Sequence, residues 1–145
     1  MTQVTFYTGV PDRLAYLCRL LRKAYLSGAR IGVCGPAPLL DRLDRELWAF
    51  APTEFVPHLR LRPGRAAAER LTGTPVVLAE APDELPHRGV LVNLGEDIPG
   101  NVQDFERVLE ILSQEPEQLG IGRRRYRQYE QMGLKPEHHV VSASS

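Results

Sequence analysis

Arg30-Ile31-Gly32-Val33-Cys34-Gly35-Pro36, followed by Leu39, Leu40, Leu43 and Leu47, is the stretch that decides the fold. Its first five residues read as a short strand that is apolar on both faces, which suits the interior of a parallel sheet. A Gly-Pro break follows, and the leucines then recur at helical spacing, with Asp41, Arg42, Asp44, Arg45 and Glu46 on the opposite face. A buried strand feeding an amphipathic helix is the repeating unit of an α/β sheet.

The same alternation extends in both directions. Val4 to Tyr7 reads as a first strand, Gly9 and Pro11 as a turn, and Asp12 as the N-cap of a helix carrying Leu14, Leu17, Leu21 and Tyr25 up to Gly28. Downstream, Phe55-Val56 reads as a short extended segment, and Val76 to Leu78 and Val90 to Leu94 as strands bounded by Pro and Gly. Pro63 to Thr74 can hold a short helix, and Pro82 to Gly89 reads as a surface connection. The spacing of Phe105, Val108, Leu109 and Leu112 predicts another helix. Glu115 to Met132 makes a last one, interrupted near Gly120 and Gly122 and ended by Gly133. The expected fold is a single α/β domain over residues 1–134, with a mostly parallel sheet and helices on both faces. It is Rossmann-like without a nucleotide site, and residues 135–145 form a loose tail.

Composition narrows the function classes. The 145 residues hold 18 Lys plus Arg against 18 Asp plus Glu, so no whole-molecule field draws nucleic acid or an anionic membrane. Recognition by charge must be local. The two cysteines, Cys18 and Cys34, fall in a helix and a strand without CxxC spacing, and residues 1–10 hold no secretory apolar segment. These features predict a reducing, cytoplasmic setting. No apolar run approaches the roughly 18 to 20 residues that span a bilayer.

Catalytic motifs are missing. Ile31 to Pro36 starts like a nucleotide-binding turn but lacks both GxxxxGK[ST] and GxGxxG, which leaves a topological turn as the simpler reading. Gly120-Ile121-Gly122 is followed by arginines where a dinucleotide loop needs a third glycine. His58, His87, His138 and His139 show no repeating metal-ligand spacing, and Cys34 has no neighbouring base. The expectation is a chain with no catalytic residue, cofactor or metal.

The densest charge run is Arg123-Arg124-Arg125-Tyr126-Arg127-Gln128-Tyr129-Glu130, and helical spacing puts Arg123, Tyr126 and Arg127 on one face. Such a face is either a solvated surface or a docking site. Exposed ion pairs contribute roughly 0 to 1 kcal/mol each, so arginines alone do not reach the about 8 kcal/mol of a micromolar complex. An apolar anchor is required. An acidic peptide ending in a large hydrophobic residue supplies one, and single-stranded nucleic acid is the other ligand that uses cations beside aromatic rings.

Three stretches together resemble the chi subunit family of bacterial DNA polymerase III holoenzymes. They are Val4-Thr5-Phe6-Tyr7, the segment Arg42-Leu43-Asp44-Arg45-Glu46-Leu47-Trp48 running to Phe55-Val56-Pro57-His58, and Arg123 to Tyr129 with Gly133. The resemblance implies a non-catalytic replication subunit that is a monomer before its partners arrive. Those partners are the psi subunit of the clamp loader and the acidic, hydrophobic C-terminal tail of single-stranded DNA-binding protein, with a DNA-repair helicase as an alternative to psi. By resemblance, Arg123, Tyr126 and Arg127 hold the tail. Phe55, Trp48, Val56 and Pro57 meet psi or the helicase, with Phe55 the leading contact; Trp48 and Phe55 are also what an ordinary core uses, and for Trp48 the core is the favoured reading. Two departures stand out: Leu119 occupies a position where the family can carry a basic residue, and the Leu112 to Leu119 connection is short. Arg124 and Arg125 are the candidates to compensate the charge.

Overall fold

The computed structural model describes residues 2–49, 56–62 and 73–141. Phe55 and most of the short helix expected from Pro63 lie outside the described residues.

Among the described residues, seven strands form one all-parallel sheet in the order β3-β4-β2-β5-β6-β1-β7. They are β1 (Gln3–Val10), β2 (Ile31–Cys34), β3 (His58–Arg60), β4 (Val76–Ala79), β5 (Val90–Asn93), β6 (Arg107–Ser113) and β7 (Glu137–Val140). Helices α1 (Arg13–Leu26), α2 (Ala37–Ala49) and α3 (Pro116–Gln131) connect them, with 3-10 turns at Pro82–Glu84 and Val102–Asp104. The α/β expectation holds, and the sheet is entirely parallel rather than mostly so.

Strand β2 is buried at all four positions, between Val76 of β4 and Val90 of β5 at its first residue. The glycines beside it are packing devices. A side chain at Gly32 would overlap Leu85, and one at Gly35 would come within 2.9 Å of the Leu94 Cβ. The resemblance to a phosphate loop thus comes from close approach of β2 to its neighbours.

Each face of the sheet has its own core. Leu14, Leu17 and Leu21 of α1 and Leu40, Leu43 and Leu47 of α2 cover Ile31, Val33, Leu109 and Ile111. On the opposite face Tyr129 of α3, with Leu85, Val102 and Phe105, covers Phe6, Val77, Leu91, Val108 and Leu112. A fully buried side chain of this size adds about 1.5–3 kcal/mol. Asp12 caps α1 as expected, accepting from the Ala15 N–H at 3.1 Å.

Three expectations are corrected. Residues 107–113 form strand β6, not a helix. A strand buried on both faces is apolar at nearly every position, so helical spacing is satisfied by accident. Helix α3 runs unbroken through Gly120 and Gly122; the cost of glycine in a helix, about 0.5–1 kcal/mol each, is outweighed by packing on β6. The tail is not loose throughout, because Glu137–Val140 pairs with β1 along Thr5 to Thr8. Its side chains are exposed, which hides the strand from any reading based on apolar pattern.

Candidate functional site

Helix α3 sits close to the sheet because Gly122 faces Leu112, where a side chain would overlap the leucine methyl. Arg125 and Tyr129 continue the inward face. Gly133, at φ +85°, ends the helix and turns the chain back through Leu134 and Pro136 into β7. The Tyr126 hydroxyl donates to the Pro136 carbonyl at 3.1 Å, tying helix to return segment.

This arrangement leaves a pocket of about 260 Å³. Phe6 and Thr8 of β1 and Leu112 of β6 form its floor, Leu119, Gly122, Arg123 and Tyr126 of α3 one wall, and His138 of β7 the other. Phe6 lies 5.4 Å from the Tyr126 ring, and Thr8 Oγ1 lies 2.5 Å from His138 Nε2. Arg123 is exposed at the rim, and no carboxylate lines the cavity among the described residues. A small apolar well with a cation at its mouth accommodates a hydrophobic side chain attached to a carboxylate.

The arginine run does not act as one face. Arg127 is exposed and lies outside the pocket. Arg124 lies in a separate depression with Glu96, Asp97 and Glu117. Arg125, expected to restore local charge, is instead 3% exposed and points into the fold. Its Nη1 meets Glu110 Oε1 at 2.7 Å, while its Nη2 donates to the Gly95 carbonyl. Glu110 also accepts from the Tyr129 hydroxyl at 2.7 Å and from Asn93 Nδ2 at 3.1 Å. Burial pushes the Glu110 carboxyl up from its ordinary value, with the Arg125 charge and these donors acting against the shift. Leu119, the departure at the position of a basic residue, supplies apolar wall. Phe6, Thr8, Leu112, Gly122 and His138 complete the pocket without having been marked as site residues.

The second predicted surface is divided. Trp48, at the end of α2, is 62% exposed, which corrects the core reading. Its ring meets His58 edge-on at 5.0 Å, and His58 Nε2 lies 3.0 Å from Asp44. Val56 is 1% exposed and packs with α1 and α2, so its side chain is removed from the predicted contact set. Pro57 is half-buried and Phe55 lies outside the described residues.

A crevice of about 500 Å³ opens at the carboxyl ends of β2, β4 and β5, where α/β proteins hold ligands. Glu80, Glu96 and Asp97 line it with no cation among the described residues, the reverse of what a phosphate requires. Burial pushes the Cys34 thiol on its wall up from 9.0 to about 12, and Cys18 likewise, so neither is poised as a nucleophile. Both shifts raise the folded-state value above the unfolded one. Their contribution to stability is therefore full below pH 9 and lost as pH rises towards 12. Urea midpoints are expected to hold between pH 7 and 9 and fall above it, with a shallower fall in Cys34→Ala.

Residues 1–137 match the family model described as DNA polymerase III chi subunit, HolC. The chain belongs to the chi family of DNA polymerase III subunits. It is 32% identical, over 96% of each chain, to the DNA polymerase III subunit chi of Pseudomonas aeruginosa. Membership in the chi family makes this a replication subunit and agrees with the resemblance seen at β1, α2 and α3. No helix among the described residues is long and apolar enough to cross a membrane.

Proposed function

We propose that the chain is a non-catalytic replisome adaptor, whose pocket on α3 holds the C-terminal tail of single-stranded DNA-binding protein. The observation that carries the reading is the pairing of the Arg123 guanidinium with an apolar well built from Phe6, Leu112, Leu119 and Tyr126. A buried hydrophobic side chain of the tail contributes about 1.5–3 kcal/mol, and a charge-assisted bond to its carboxylate about as much. The exposed Trp48 face carries the second contact, to the psi subunit of the clamp loader. Large exposed aromatics are frequent interface anchors. Two weak contacts on one small domain raise the local concentration of each partner for the other, with no chemical step. The test is a titration with full-length single-stranded DNA-binding protein and with a version lacking its last residues. Retained affinity for the truncated protein would sink the assignment.

A further inference from the structure

On the face of the sheet opposite the peptide pocket, a groove of about 550 Å³ runs between α1 and the starts of β2, β5 and β6. Arg19 and Lys23, one helical turn apart, line one side and Arg107 the other. None of the three forms an ion pair with a described residue, and no carboxylate lines the groove among those residues. Helix α1 has four cations and no acidic residue in its 14 positions, in a chain whose overall charge is zero.

The floor is aromatic. Tyr7 and Tyr16 both line it, with ring centres 5.9 Å apart. His139 of β7 stacks on Tyr7 at 5.5 Å and 17°, and the Arg19 guanidinium lies 5.8 Å from the Tyr16 ring. Cations beside a strip of half-exposed rings form the arrangement that takes phosphates and unpaired bases together. An acidic peptide would use the cations and leave the rings idle, and a duplex would hide the bases from them.

We infer that this groove binds single-stranded DNA directly, at a site separate from the peptide pocket. Arg19, Lys23 and Arg107 hold about three phosphates, and Tyr16 and Tyr7 stack a base. Because the pocket faces the other side of the sheet, a protein tail and a DNA strand can be held at once.

Fluorescence anisotropy of a labelled oligothymidylate of about ten nucleotides, titrated with the full chain, tests the inference. At about 0.7 per phosphate, three contacts give a log–log salt slope of about −2. The double variant R19E/K23E is expected to weaken binding more than tenfold at low salt and to bring the slope to about −0.7. Tyr16→Ala is expected to weaken it about five- to a hundredfold with little change in slope, as loss of base stacking does. Arg19 and Lys23 are exposed and Tyr16 is half-buried against the core, and urea midpoints of the variants check that the fold is kept. Four results would each overturn the inference: no binding at low salt, R19E/K23E binding as the wild type does, equal affinity for duplex of the same length, or displacement by a polyglutamate peptide of equal charge. An affinity lost in Arg123→Ala to the same extent would move the DNA site to α3 and overturn it too.

Discussion

Arg125→Ala is expected to destabilise the fold by about 3–5 kcal/mol, the cost of leaving one member of a buried ion pair without the other. Glu110 is fully enclosed on β6, and Arg125 is its only cationic hydrogen-bond partner among the described residues. Truncation also frees the Gly95 carbonyl from its guanidinium donor. The double variant E110Q/R125M should recover most of the loss, since the amide oxygen still accepts from Tyr129 and the methionine fills the volume of the arginine stem. Urea unfolding of the two variants decides the matter. A loss under about 1 kcal/mol in Arg125→Ala, the value for an exposed arginine, would contradict the buried pair. Arg124→Ala, one residue away, should change stability by no more than about 0.5 kcal/mol.

Arg123→Ala is expected to weaken binding of the tail peptide by about 10- to 150-fold, from the 1.5–3 kcal/mol of a hydrogen bond to a charged group. Tyr126→Ala should do as much by opening the pocket wall and removing the contact with Phe6. Tyr126→Phe is the control: its hydroxyl is already committed to Pro136, so the peptide affinity should hold within a few-fold. Arg127→Ala, outside the cavity, should have an effect under about fivefold, in keeping with an exposed charge. Isothermal titration of the peptide against the four variants reads all of this. Equal losses in Arg123→Ala and Arg127→Ala would mean that the arginines act as a diffuse patch and that the well is not the binding site.

These two predictions separate residues that look alike in sequence. Arg123, Arg124, Arg125 and Arg127 form one basic run, and nothing in their order says which of them is buried. The inward face of α3 is Gly122, Arg125 and Tyr129, so it lacks the apolar stripe that orients an amphipathic helix. Helix α1 shows the opposite case: Leu14, Leu17 and Leu21 face the core as their spacing predicts. Strand β2 and the all-round apolar character of the sheet interior were readable for the same reason. Strand β6 was not, since Val108, Leu109 and Leu112 satisfy both periods. Two of the eight pocket residues were hidden with these strands, Leu112 on β6 and His138 on the unexpected β7. Trp48 illustrates a different limit, for burial at a helix end depends on what the following segment covers.

The position of β1 bears on how the chain is made. Among the described strands it is made before the other six, yet its neighbours β6 and β7 are made after all the rest, and Gln3 must wait for Arg107. While the ribosome completes β2, β4 and β5, Val4 and Phe6 have no strand beside them, although both end up buried. Closing such a long loop is slow, and an unpaired apolar strand is the kind of segment that aggregates. While residues 11–106 are made, β1 therefore stays in need of protection, and a chain stalled before Arg107 lacks the strand through which β1 joins the sheet.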